Sequence, residues 1–396
     1  MSTQRVRAVG AAVVTIALLV AGCAGPAPHA HVGLPYEQHG DEVEAATQPL
    51  SETTVLDLAA VRNLAGIVPR LAEKRVVFVG ETHDQYAHHL AQLEIIRRLR
   101  EQDPHLAIGM EAFQQPFQQV LDDYIAGNLS ESELLRDSEY FRRWGQDYRL
   151  YAPILRYARE QGLPVIALTL PTELTDKVAR EGFEALTEAQ RAQLPDAIDR
   201  SDKAYEQRLK KIFDRHPDSG RGFDVFLDVQ LLWDEGMAQQ AADWLTAHPD
   251  DRLVILAGSG HLAWGSGIPQ RLARRLPVDS AVVLNGWEGD LQPELADYVL
   301  LTESRTLPPA GKLGVLLDTD SAVLTVGHCT PDSPCARAGL KPGDRFLAID
   351  GEPVKNLTDL RLAMWDKRPG DSLTLMVSRD SLFGAPRKLR YAMELQ

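Results

Sequence analysis

Four residues have the types and positions that chemistry requires: Glu81, His83, Glu111 and His261. Glu81 and His83 lie in RVVFVGETHDQYAHH (Arg75 to His89), Glu111 follows HLAIGM, and His261 closes Gly258-Ser259-Gly260-His261 after RLVILA. Two imidazoles and two carboxylates form the donor set of a Zn²⁺, Mn²⁺, Co²⁺ or iron site, and equally of general acid–base pairs. In a metal-dependent hydrolase or peptidase, Glu81 or Glu111 is the catalytic base beside an ion held by His83 and His261, which lowers the pKa of a bound water. Each residue taken singly is also explained as a helix cap or a satisfied loop group. Four unrelated caps at four strand ends is the less economical account, so the pattern favours a common site.

The elements that must position them are short apolar runs. Val76 to Val79, His105 to Met110, Pro164 to Leu168, Arg252 to Ala257 and Ser280 to Leu284 are β-branched, continuously apolar stretches, and Tyr298 to Leu301 offers a sixth. Runs without alternation suit strands buried on both faces of a parallel sheet. Helical periodicity separates them, from Tyr86 through LAQLEIIRRL, from Phe113 onward, from Ser130 to Glu160, and in the long stretch Phe223 to Leu245, which sets Phe226, Gln230, Asp234, Met237 and Ala241 on one face. Strands alternating with helices predict an α/β fold, a largely parallel sheet flanked by helices. Such a sheet gathers Glu81, His83, Glu111, Thr169, His261 and Asn285 along its carboxyl edge, where ligands of open α/β sheets bind. Residues Thr172 to Arg215 are charged and helical without strand signals, and read as an insertion or cap.

Length and charge bound the rest. The 396 residues accommodate one large domain and one small one. A formal charge of -14 with no basic run disfavours nucleic acid as a partner. Arg5 and Arg7 precede an apolar run from Ala8 to Val20 that is short for a spanning helix and reads as a signal peptide over residues 1–22. The run ends Val20-Ala21-Gly22-Cys23, which resembles a bacterial lipobox. The resemblance implies lipidation of Cys23 and a membrane partner through that anchor. With Ala24 rather than aspartate next, it implies residence at the periplasmic face of the outer membrane. Residues 23–54, rich in Pro, Gly, His and acids, read as a flexible tether. An oxidising compartment permits a disulfide between Cys329 and Cys335.

Phe78-Val79-Gly80-Glu81-Thr82-His83-Asp84 with His88-His89, then Gly109-Met110-Glu111-Ala112, Gln230-x-x-Trp233-Asp234-x-x-Met237-Ala238 and Ala257-Gly258-x-Gly260-His261 together resemble the ChaN family of haem-binding uptake lipoproteins, within the Tiki/TraB-like superfamily. The resemblance spans residues 55–305. It implies haem as cofactor, a role in haem or iron uptake, a tyrosine-type axial ligand and pairing of two subunits as a homodimer around haem; the Tiki branch instead implies a divalent transition metal and peptidase activity. A phenolate suits ferric iron because it is a hard anionic ligand. Tyr151, in Tyr-Ala-Pro-Ile-Leu, matches a family pattern; Tyr86, beside the first motif, and Tyr148 are the other candidates. His89 is open to a haem-edge role or to a place in the core, because it shares the face of Leu93 and Ile96.

Pro308-Pro309-Ala310-Gly311 breaks the pattern, and residues 306–311 read as a linker. Over 312–396 the chain turns β-rich, and Ala336-x-Ala338-Gly339-Leu340-x-x-Gly343-Asp344-x-Phe346-x-x-Ile349-Asp350-Gly351 resembles a small bacterial PDZ domain. That resemblance implies a partner polypeptide whose terminal carboxylate is held at Leu313, Gly314 and Val315, beside a groove helix from Leu357 to Trp365 that carries Leu360, Leu362 and Met364.

Overall fold

The computed structural model describes residues 58–215, 222–286, 291–318, 323–381 and 384–396. The signal peptide, Cys23 and the tether expected from the sequence lie outside the described residues.

Six strands form the first sheet: β1 (Val76–Glu81), β2 (Leu106–Gln114), β3 (Val165–Thr169), β4 (Arg252–Gly258), β5 (Ser280–Asn285) and β6 (Tyr298–Leu300). Their spatial order is β3-β2-β4-β1-β5-β6, and every pairing is parallel. The apolar runs become these strands because both faces are covered. One core packs Val77, Val79, Ile108, Met110 and Val254 against the helix Tyr86–Gln102 and the 118–161 helices. The opposite core packs Val76, Phe78, Ile166 and Ile255 against the 25-residue helix Phe223–Ala247. With β4 between β2 and β1, the ends of those three central strands meet at one edge.

Some boundaries differ from the sequence reading. The helix before β1, which the sequence suggests from Leu56 to Leu71, is Leu64–Leu71, with Asn63 capping Gly66 N. β2 continues four residues past Met110, so Glu111 is part of the strand, and the next α-helix begins at Gln118 rather than Phe113. The register against β3 slips between Met110 and Gln114, which lets the longer strand splay at its end. The 130–160 region is broken into the helices Glu131–Asp137, Tyr140–Arg143 and Ala152–Gln161 with a 3₁₀ turn at Tyr148–Leu150. A capping box at Ser130 and Glu133 starts the first of these, and Glu139, at φ 52°, separates it from the second. The cap region holds three helices, Thr172–Glu181, Glu188–Arg191 and Lys203–Asp214, packed on the long helix through Leu170, Leu174, Val178 and Leu232 and through Tyr205, Leu209, Leu227 and Leu231.

Beyond the linker, β7 (Val315–Leu317) pairs with β8 (Val326–Cys329), and β9 (Arg345–Ile349), β10 (Glu352–Pro353), β11 (Ser372–Arg379) and β12 (Arg387–Glu394) form an antiparallel sheet in the order β10-β9-β11-β12. Cys329 and Cys335 are joined in a disulfide that ties β8 to the helix Pro334–Ala338. The helix Leu357–Met364 has two working faces. Leu360 belongs to the small domain's core, whereas Leu362 packs on the large domain, as does Trp365 just beyond the helix. Trp365 meets Tyr148 edge-on at 5.2 Å between centroids, and Arg361 Nη1 donates to the Phe141 carbonyl at 3.3 Å. The two domains are thus packed through this helix.

Candidate functional site

Glu81 ends β1 fully buried, and its oxygens gather three side chains. His83 Nδ1 donates to Oε1 at 2.8 Å and the Tyr151 hydroxyl to the same oxygen at 2.9 Å. His89 places Nδ1 2.7 Å from Oε2 and Nε2 3.0 Å from the His83 carbonyl oxygen. Burial alone would raise the Glu81 pKa, but the hydrogen bonds and charges of His83 and His89 outweigh it and lower it to about 2. For His83, burial acts downward, and the Glu81 bond with the Glu111 and Glu81 charges reverses it, so its pKa is raised. The His83 side chain is 32% exposed and stands edge-on to Trp144 at 4.8 Å. Its Nδ1 is committed to Glu81, which leaves Nε2 without a hydrogen-bond partner among the described residues.

The second half of the site is assembled from β2, β4 and the long helix. Glu111 Oε2 accepts from Gly258 N at 2.7 Å, and Glu111 Oε1 lies 3.4 Å from His261 Nε2. His261 Nδ1 donates to Asp234 Oδ1 at 2.5 Å, and Asp234 also accepts from the Tyr205 hydroxyl. Burial would depress the His261 pKa, but the charges of Glu111 and Asp234 push it up to about 9. Gly258 lets the two halves approach: a Cβ there would stand 3.0 Å from His83 Cε1, 3.3 Å from His83 Nε2 and 3.7 Å from Glu111 Oε2. Trp233 flanks His261 with ring centroids 6.3 Å apart. At the other strand ends, Thr169 Oγ1 donates to the Glu111 carbonyl and Asn285 Nδ2 to the Gly80 carbonyl, so these two polar groups secure the edge's backbone.

The four residues expected to share a site therefore do, but as paired groups. Among the described residues, no three His, Cys, Asp or Glu side chains surround a point that a metal ion would fill. Both Glu81 oxygens and both His261 nitrogens already face partners, and His83 Nε2 is the open donor. The aromatic candidates are redistributed. Tyr151 is 2% exposed and bonded to Glu81, Tyr148 is 1% exposed and donates to Glu131 at 3.1 Å, and His89 is buried between Glu81 and the His83 carbonyl. Burial, with the Glu81 charge for Tyr151 and the Glu131 charge for Tyr148, raises both phenol pKa values well above the usual value. In this arrangement Tyr151 and His89 hold Glu81, and Tyr148 packs edge-on to Tyr140 and Trp365. Tyr86, at the start of its helix, is half-buried and packs against the core on that face of the sheet.

Asp234, Tyr205 and Trp144 complete the site without having been singled out as site residues. The sequence signal for Asp234 was an acid on the apolar face of a helix, which buries only when paired. A cavity of about 460 Å³ is lined by Gln115, Leu170, Pro171, Gly236 and Gln240, and by none of the four edge residues. In the small domain, Leu313, Gly314 and Val315 do line a common groove of about 310 Å³, with Leu357, Leu360 and Met364 opposite.

The fold and edge define an α/β protein with a parallel sheet whose candidate site lies at the ends of its central strands. Residues 67–272 match the family described as haem-binding uptake, Tiki superfamily, ChaN, and the chain belongs to that family. Residues 311–382 match the PDZ domain. Among solved structures, ChaN of Campylobacter jejuni, described with cofacial haem, covers 61% of this chain and 93% of its own at 17% identity and a TM-score of 0.50, which establishes the fold. The RETICULATA-RELATED 5 chloroplastic protein of Arabidopsis thaliana is 26% identical over 267 residues, 62% of this chain but 36% of that protein. The magnetosome formation protease MamE of Paramagnetospirillum magneticum is 40% identical over 55 residues, 14% of this chain and 8% of its own. The chain thus spans about a third or less of these two curated relatives.

Proposed function

We propose that the chain is a lipid-anchored periplasmic haem-binding protein of haem or iron uptake, whose PDZ domain docks the carboxyl terminus of a polypeptide partner. One observation carries the haem reading: His83 has its Nδ1 fixed by buried Glu81 and its Nε2 open at the partly exposed strand edge, beside Trp144. A carboxylate bonded to one ring nitrogen fixes the tautomer and raises the basicity of the other, as in histidines that ligate metals. The donor set fits haem, whose iron His83 Nε2 would hold, with Tyr86 the phenol next in sequence to that motif. Bound haem supplies ferric iron and a planar apolar face; Trp144 and Trp233 supply aromatic walls for that face.

Docking rests on the groove at Leu313, Gly314 and Val315, whose lining is mainly apolar and which has Lys312 and Arg361 at its margin for a terminal carboxylate. Hydrolysis is the second reading, favoured by His261, which is held between Asp234 and Glu111 as an acid–base group would be. Haemin titration of the full chain, followed by visible absorption, tests the first reading. Saturable binding that weakens or changes spectrum in His83→Ala is expected; a wild type that never saturates overturns it. A screen with ester and peptide substrates and Glu111→Gln tests the second.

A further inference from the structure

Arg208 stands apart from the other arginines around the site. Arg143 is held by Glu139 and Glu173, Arg271, Arg274 and Arg275 surround the buried Glu235, and Arg200 pairs with Asp228. Arg208, on the cap helix Lys203–Asp214, has no carboxylate within salt-bridge distance among the described residues; Asp202 acts on it only at longer range. Its Nη2 donates to Ser266 Oγ at 2.6 Å, and its guanidinium lies 4.9 Å over the Trp264 ring. The same helix carries Tyr205, whose hydroxyl donates to Asp234 beside His261, so this arginine, without a salt-bridged acid among the described residues, belongs to the His261 side of the site.

The platform beneath it is built. Trp264 adopts φ 57°, ψ 16°, left-handed backbone that a bulky side chain rarely takes. The loop cannot relax readily, because Trp264 N donates to the Leu295 carbonyl and buried Arg271 holds the Ser266 and Gly267 carbonyls. Gly267 passes so close to His261 that a Cβ there would lie 1.9 Å from the His261 carbonyl oxygen. The segment carrying Trp264 and Ser266 is therefore continuous with His261 at the carboxyl edge of β4. A guanidinium fixed on one side by an aromatic ring and on another by a hydroxyl still has donors for a planar carboxylate.

We infer that Arg208, held by Trp264 and Ser266, is the anion-recognition residue of the edge site and pairs with a carboxylate of an amphipathic planar ligand, a propionate of haem. This rests on the haem reading above and adds the polar end of the ligand to the iron end at His83. The balance is charge pairing alone; no covalent step is involved.

Three probes separate the two ends: haemin has iron and free carboxylates, protoporphyrin IX has the carboxylates without iron, and haemin dimethyl ester has iron with the carboxylates masked. Each is titrated into the full chain by visible absorption and tryptophan quenching, for wild type, Arg208→Gln, Arg208→Lys and His83→Ala, with far-ultraviolet circular dichroism and melting to confirm folding. Arg208→Gln is expected to weaken haemin and protoporphyrin IX about tenfold, as loss of one charge-assisted pair does, and to leave the ester unchanged. Arg208→Lys recovers part of the loss. His83→Ala affects only the iron-containing probes. Protoporphyrin binding that depends on Arg208, with no iron ligation at His83, supports the anion site and overturns His83 as donor. Equal losses for all three probes in Arg208→Gln, no loss for any, or no binding of any probe by wild type overturns the inference.

Discussion

Glu81→Gln probes the centre of the site. The side chain is isosteric but removes the charge on which His83, His89 and the Tyr151 hydroxyl converge. A pKa lowered from 4.5 to about 2 means that the folded state favours the ionised form. At 1.36 kcal/mol per pKa unit, this corresponds to about 3 kcal/mol of stability. Because the group is buried, little of this is screened. The sign follows from the depressed folded pKa: the contribution is complete above the unfolded value of 4.5 and fades as pH falls toward 2. His83, whose pKa is raised, contributes fully below 6.5 and loses its contribution as pH climbs through its folded value. The pair is therefore at its strongest between 4.5 and 6.5. Urea unfolding at pH 6 should place Glu81→Gln roughly 3 kcal/mol below wild type, with the gap narrowing at pH 3. A variant within about 1 kcal/mol of wild type at pH 6, or a gap unchanged at pH 3, refutes the electrostatic account.

Tyr151→Phe removes one hydrogen bond to a buried carboxylate and should cost about 2 kcal/mol by urea unfolding while leaving the haemin spectrum unchanged. Reducing the Cys329–Cys335 bridge, or replacing both with serine, opens a short loop next to the peptide groove and should lower stability by about 2 kcal/mol, read as an earlier melting transition. Trp365→Ala strips the groove helix of its contact with Tyr148 and should cost ~2 kcal/mol, so that calorimetry resolves two domain transitions where wild type shows one.

Much of the fold was legible because the central strands are buried on both faces, so Val76 to Val79 and Leu253 to Ala257 appear as unbroken apolar runs. The convergence of Glu81, His83, Glu111 and His261 followed from the rule that parallel strands present their carboxyl ends to one edge. How the residues pair was not legible, because periodicity reports which face a side chain occupies and not what it meets. Asp234 and Tyr205 read as positions on packed helices, yet together they orient His261. That the Tyr151 hydroxyl donates to Glu81 was likewise not legible, because its position at the start of a helix does not say which group it meets. The apolar run stops at Met110, yet the strand goes on, pairing Gln114 with Thr169 of β3, while the Glu111 side chain meets Gly258 N and His261. Of the apolar Leu360, Leu362 and Met364, the first and last line the groove, whereas Leu362 packs on the large domain, a docking that no local signal encodes.

The most direct test of the account is haemin titration of the full chain with His83→Ala and Tyr151→Phe alongside, followed through the visible absorption of the bound iron. Saturable binding by wild type and Tyr151→Phe, with weakened binding or an altered ligation spectrum in His83→Ala, is the predicted result. Wild-type binding that His83→Ala leaves untouched while Tyr151→Phe abolishes it, or no saturable binding at all, contradicts the account.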